Sequence, residues 1–264
     1  ATATVLLGTL YPLLLEAVSS DKISVGAPFF NLTFGPLMVP LLVMVPFGPL
    51  LAWKRGDIVA VAQRLMAAFA AALLASVVTA FFIDGASAFA IVGVGLAFWL
   101  VFGSLTDLAV KSGFGNVGAA SLFRRFIGLP RSIFGTALAH LGLGLTVLGI
   151  VGALSFGTEK ILSMHAGETV ELSGHTVRFD GLSPDKGPNY SEDRARFELV
   201  GEGGKTIGEI HSAKRFYPVR QMTTTESGIK TIGFSQLYIS LGDEGTDGSV
   251  VVRLWWKPLV TLIW

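Results

Sequence analysis

Residues Phe134–Phe156 read FGTALAHLGLGLTVLGIVGALSF. The stretch carries no charged residue and a single histidine, His140. At 1.5 Å of rise per residue, about 20 such residues cross the hydrocarbon core of a bilayer. It therefore predicts a transmembrane helix. An imidazole in hydrocarbon is costly, which makes His140 a candidate functional residue. The same helix divides the chain: apolar runs precede it, and a polar segment follows.

Composition points the same way. Of 264 residues, 51% are hydrophobic and only 15% charged, which places the chain among integral membrane proteins. Five of its 19 acidic residues lie in residues 1–156, and the rest follow. The net charge of +1 comes with no basic stripe, so no nucleic-acid partner is expected. The absence of cysteine excludes a disulfide framework, a thiolate metal site and a cysteine nucleophile within the chain. It contains no Walker sequence, Ser/His/Asp order or HExxH.

Upstream of His140, four further apolar runs read as spans. They cover residues 1–18 (with Pro12 as a kink), about 36–53, about 63–82 and about 89–110. Residues 19–35 between the first two read as a short aromatic interfacial loop, with Phe29 and Phe30 as anchors. A sixth span begins near Pro258. The fold class is thus an α-helical polytopic bundle (residues 1–156, about five spans), an all-β domain (residues 157–256) and the start of another helix (residues 257–264). The chain starts without Met inside one apolar run and stops inside another, as a fragment of a longer polytopic protein would.

Loop charges orient the spans. Lys54, Arg55 and Arg64, then Lys111, Arg124, Arg125 and Arg131, fall on one side, predicted to be cytoplasmic. The other loops carry only Asp21, Lys22 and Asp84. The β segment then lies outside the cytoplasm, and His140 in the cytoplasmic half of the bilayer. Within that segment, ETVELSG and HTVRFDGL join near Ser173–Gly174, and ARFELV and KTIGEIH flank the hairpin signal GEGG. LYISLG and SVVVRLWW follow, separated by DEGTDG. Five or six short strands over about 100 residues predict a small sandwich or barrel.

Several residues could carry chemistry. Gly135, Gly142, Gly144, Gly149 and Gly152 surround His140, and glycines on one face let a helix or a flat macrocycle approach closely. His140 then has two readings: axial ligand of haem iron, or hydrogen-bond partner of a neighbouring helix. A bis-histidine haem needs a second histidine, and residues 1–133 contain none. His165, His175 and His211 are not spaced like a metal-ligand set and read as polar histidines of the β domain. Lys214–Tyr217 (KRFY) with Arg220 forms a basic–aromatic cluster after a strand, suited to an anionic group or to solvent. Gly187–Tyr190 (GPNY) is a turn by composition.

Taken together, these stretches resemble one family. TLYPLLLEA (Thr9–Ala17), KISVGAPFFN (Lys22–Asn31), FGPLLAWKR (Phe47–Arg55), AHLGLGLTVLGI (Ala139–Ile150), VRFDGL (Val177–Leu182), GPNY, EIHSAKRFY (Glu209–Tyr217) and RLWWKPLVTLIW (Arg253–Trp264) are similar, in order, to the C-terminal half of the CcmF family. That family is the haem lyase subunit of the multi-component cytochrome c maturation system. A weaker similarity extends to the related subunit of nitrite reductase maturation.

The resemblance implies a bacterial inner-membrane protein with its β domain in the periplasm. It implies attachment of haem to the C-x-x-C-H thiols of apocytochrome c, with a haem chaperone and thiol-handling subunits as partners, in contact with membrane lipid. It further implies a resident b-type haem held between two transmembrane histidines, His140 matching the second. Membrane quinol is a candidate electron source for such a haem; no residue identifies its site, and Arg64 and Asp107 are candidate polar groups near the cytoplasmic interface. The family's tryptophan-rich motif, its two external haem-ligating histidines and its first transmembrane ligand belong to the other half. His165, His175 and His211 do not match them. The chain is thus expected to supply one axial ligand and the β domain, and not to act alone. Two other classes compete: half of a transporter or channel, with His140 in the path, and a non-catalytic scaffold.

Overall fold

The computed structural model describes residues 2–19, 23, 25–51, 56–201 and 205–264. Two compact units emerge: Ala1–Asp84 with Ile91–Leu145, and Gly85–Ala90 with Thr146–Trp264. Seven α-helices, α1 (Thr2–Ser19), α2 (Ala27–Met44), α3 (Ile58–Arg64), α4 (Met66–Phe82), α5 (Ala88–Ser112), α6 (Ala119–Ile127) and α7 (Arg131–Ser155), precede nine strands among the described residues. Among the described residues four helical stretches are long and apolar enough to cross a membrane; α3 and α4, bent by 55° at their junction, pass the same test only as a pair, the geometry of a broken span or a re-entrant loop.

The second helix begins earlier than the sequence suggests. Gly26 precedes it, proline stands in its first turn, and Phe29 and Phe30 pack on Gly8 of α1, where a Cβ would meet the Phe29 ring at 2.7 Å. Helix–helix packing therefore takes up the two rings that read as interfacial anchors. The remainder of that loop around Asp21 and Lys22, and the basic pair Lys54 and Arg55, lie outside the described residues. After α2 the chain tightens into a 3-10 turn, Val45–Leu50, containing Pro46 and Pro49. The carbonyl of Val43 accepts a 2.9 Å hydrogen bond from the Trp99 indole, so a side chain of α5 replaces a partner lost at the prolines. Asp57 caps α3 by accepting from the amides of Val59 and Ala60.

Small residues set the helix contacts, as expected where burial from water cannot drive association. Gly103 packs on Pro46, and Gly95 on Ser76, whose hydroxyl donates to the carbonyl of Ile91 at 3.2 Å. Gly144 of α7 lies against Ala97 and Val101 of α5, where a Cβ would stand 3.0 Å from the Ala97 oxygen. Two turns earlier on α7, the carbonyl of Ala137 accepts a 2.6 Å hydrogen bond from the buried hydroxyl of Ser104.

The strands are β1 (Thr158–Met164), β2 (Thr169–Leu172), β3 (His175–Lys186), β4 (Ser191–Val200), β5 (Thr206–Tyr217), β6 (Met222–Glu226), β7 (Gly228–Ile232), β8 (Ser235–Glu244) and β9 (Val250–Lys257). They form two antiparallel sheets in the orders β1-β9-β8-β7 and β2-β3-β4-β5-β6. The sandwich alternative is thus the observed one. Alternation places Val177 and Phe179 of β3, Phe197 and Leu199 of β4, Leu237 and Ile239 of β8, and Val252 and Leu254 of β9 in one core. Ser173 and Gly174, both at positive φ, make the predicted β2–β3 turn. The predicted hairpin partners β4 and β5 pair, although Glu202–Gly204 of their turn lie outside the described residues.

Three strands, β1, β6 and β7, exceed the sequence reading. β1 and β6 carry little apolar alternation and sit at sheet edges, where one neighbour holds them. At the C-terminal end, Pro258–Trp264 forms a 3-10 turn, Val260–Leu262, docked on Gly149 and Gly152.

Candidate functional site

His140 lies near the middle of α7, half-buried. On that helix Ala137 and Gly144 mark the side packed on α5. At 100° per residue His140 stands about 40–60° from it, at the margin of the contact. The imidazole has no hydrogen-bond or ion-pair partner among the described residues. Of its two readings, the bond to a neighbouring helix is therefore not made within the described chain.

The five surrounding glycines do not share one face. Gly144 admits α5, Gly149 and Gly152 admit the C-terminal turn, and Gly135 and Gly142 have no atom within 4 Å of a Cβ position. Those last two point well over 100° away from His140 around the helix. A haem iron requires an imidazole nitrogen that is not already committed, and His140 meets this requirement for one axial position. It is the only histidine in residues 1–156, so the described helices fit half of a bis-histidine site.

Arg64 and Asp107 are not brought together by any bond among the described residues. Asp107 is buried and pairs with Lys111 one turn on, at 2.7 Å. Arg64 is exposed in the last turn of α3.

The remaining histidines each have an ordinary setting. His165 follows β1, exposed, with Glu168 and Asp247 at 3.6 and 3.7 Å. His211 lies on β5 beside Glu209. His175 stands edge-on to Trp256 at 4.5 Å, and its buried Nε2 has no partner among the described residues. These residues form no metal-ligand cluster.

KRFY lies within β5 rather than after a strand, and its charges are already met. Lys214 reaches across the sheets to Asp243 at 2.7 Å. Arg215 donates to Glu192 at 2.6 Å and lies over the Tyr190 ring at 4.3 Å. Glu192, whose side chain is 1% exposed, also accepts from Arg194 at 2.6 Å, and Arg194 pairs with Asp185. The Arg215 hydrogen bond holds the Glu192 carboxyl below its ordinary value, and Arg194 adds to this. The same bond raises Arg215. Lys214 likewise lowers Asp243.

The network ties the β3–β4 hairpin to β5. At the hairpin tip the Gly187 amide donates to the Tyr190 carbonyl at 2.9 Å, and the Tyr190 ring occupies the place of a Gly187 side chain. Clefts of about 590 and 410 Å³ flank this end, lined by Pro184, Lys186, Pro188, Phe216, Pro218 and Thr223 among others. Sequence reasoning singled out KRFY and GPNY but missed their acidic partner, because Glu192 alternates among polar residues like any solvated strand position.

Residues 155–258 match the family described as the CcmF C-terminal β-sandwich. The whole chain is 56% identical over 264 residues to the cytochrome c-type biogenesis protein CycK of Rhizobium meliloti, covering 39% of that protein. It is 38% identical over 268 residues to the cytochrome c-type biogenesis protein CcmF of Pseudomonas aeruginosa, again covering 39%. A solved structure titled cytochrome c heme lyase CcmF shares its fold, with a TM-score of 0.70 and 24% identity over 99% of this chain and 40% of the other. The chain therefore spans about two-fifths of the length of the relatives it matches. Over its whole length, in the helices as in the β-sandwich, the chain is thus similar to part of the CcmF-type cytochrome c biogenesis proteins.

Proposed function

We propose that this chain is part of a membrane haem lyase that joins haem to the C-x-x-C-H thiols of apocytochrome c. The observation that carries the reading is the match of the whole chain, at 56% identity, to a cytochrome c-type biogenesis protein. In this reading His140 provides one axial ligand to a resident b-type haem, and the second ligand comes from outside residues 1–264. Such a haem, when bound, supplies a one-electron redox centre. The chain's own part is to present an uncommitted imidazole from a rigid helix clamped on α5 at Gly144 and Ala137. The loop charges favour the cytoplasmic half of the bilayer for His140. That lies across the membrane from a periplasmic β-sandwich, so the resident group is distinct from the haem being attached.

The sandwich has a separate role in this proposal. It recognises the apocytochrome or the chaperones that deliver its ligand, through the end framed by Tyr190, Phe216 and the two clefts. Lys214 and Arg215 are neutralised by Asp243 and Glu192, so what they leave at this end is aromatic and proline surface beside Lys186.

The test is the absorption spectrum of the longer protein carrying His140→Ala. Loss of a b-type Soret band together with loss of cytochrome c assembly supports the reading. Retention of both removes His140 from it. Retained haem with altered solute flux would favour a transporter instead.

A further inference from the structure

The sequence reading treated residues 111–132 only as a basic loop, yet they contain α6, a helix with two distinct faces. Leu122, Phe123, Phe126 and Ile127 fall on one side, and Ser121, Arg124 and Arg125 on the other. No residue of α6 is buried; Phe123 is 67% exposed and Ile127 62%. Short links join it to α5 and α7, both long and apolar enough to cross a membrane. A helix tethered so closely to the same end of two spans lies at the membrane surface, where exposed phenylalanines are shielded by lipid.

Two further observations specify what it meets. A groove of about 520 Å³ runs between α6 and the end of α5, lined by Leu105, Leu108, Ala109, Phe114, Leu122 and Phe126 among others. The adjoining charge is uniformly positive. No acid occurs in residues 108–158. Lys111 is taken up by Asp107. Arg124, Arg125 and Arg131 have no carboxylate partner among the described residues. The Arg125 guanidinium lies against Gly113, the residue of positive φ that closes α5; a Cβ there would be 3.1 Å from Nη1.

We propose that α6 is an in-plane helix that binds an anionic phospholipid, one acyl chain filling the groove and the phosphate paired with Arg124 and Arg125, with Arg131 adding to the field. Charge complementarity selects the headgroup, and the apolar groove selects a lipid over a free anion.

The test uses the full chain in nanodiscs of phosphatidylcholine containing 20% phosphatidylglycerol, with retained lipid measured after detergent extraction. Phosphatidylglycerol should be retained in preference to phosphatidylcholine. Each arginine neutralised in R124Q and R125Q should lower that retention by roughly fivefold. The R124K/R125K variant should keep most of it, and L108W should lower it without a change of charge. Circular dichroism checks that each variant is folded. Equal retention of the two lipids, or no loss in the folded R124Q/R125Q variant, would overturn the proposal. So would displacement of the lipid by inorganic phosphate alone, or arginine-dependent binding of a polyglutamate peptide without lipid preference.

Discussion

Glu192 shows how much one side chain can carry. Its carboxylate is almost wholly shielded and bonds to two guanidiniums, Arg194 and Arg215, while Arg215 is further held by the Tyr190 ring. Removing it takes the buried acceptor from both guanidiniums and leaves them only the exposed Asp185 and Glu226, at 2.9 and 3.6 Å. Glu192→Ala should therefore destabilise the sandwich by about 1–3 kcal/mol, read from urea unfolding. The pH dependence has a definite sign. The folded carboxyl sits below its ordinary value of 4.5, so its contribution is complete above that pH and disappears as pH falls through the lower folded value. Glu192→Gln should flatten the acid limb of a stability–pH profile, while the native chain loses stability on acidification. Tyr190 depends in turn on Gly187, and Gly187→Ala would displace the ring. Both GPNY and KRFY were visible as sequence motifs, but their joint role was not. It requires Ser191 of β4 to pair with Phe216 of β5, a register that no local pattern specifies.

Among the elements, α5 meets both α7 and the proline-rich end of α2. Its Trp99 indole satisfies a carbonyl near the prolines of α2, its Gly103 receives Pro46, and its Ser104 and Val101 meet α7. Trp99→Phe keeps an aromatic ring, though a smaller one, but leaves the Val43 oxygen without that donor, and should cost about 1–3 kcal/mol in thermal unfolding followed by circular dichroism. Gly144→Leu should separate α5 from α7 and cost about 1–3 kcal/mol. If His140 ligates haem, the same change should also broaden or shift its Soret band, because the helix presenting the ligand has moved. The spans themselves were legible because a run of apolar residues is a local property. The start of α2 was not, since Phe29 and Phe30 read equally well as interfacial anchors until Gly8 of α1 received them. α6 was missed for a related reason: nine residues between glycine-rich turns, two of them arginines, look like a loop when only hydropathy over a long window is considered.

For the molecule as a whole, two kinds of core coexist. The sandwich has a water-driven core centred on Phe179 and Phe197, stacked at 5.1 Å and fully buried. Phe197→Ala should cost about 3–5 kcal/mol and unfold the sandwich at lower urea concentration. The helical unit instead exposes Leu6, Leu7, Leu73, Phe81 and Phe82 and buries small residues at its contacts, the pattern of a protein whose solvent is lipid. The sequence by itself determined the apolar spans, the polar β segment after them, the turn at Ser173–Gly174 and the position of His140 on a spanning helix. Each rests on composition or periodicity within a few neighbouring residues. Only the tertiary structure decided that the β segment is two sheets and not a barrel, that β1, β6 and β7 exist, that the KRFY charges are spent internally, and that the His140 imidazole has no partner among the described residues. Those depend on contacts between residues tens of positions apart, where side-chain packing and the need to pair each buried charge choose among arrangements that local propensity leaves equal.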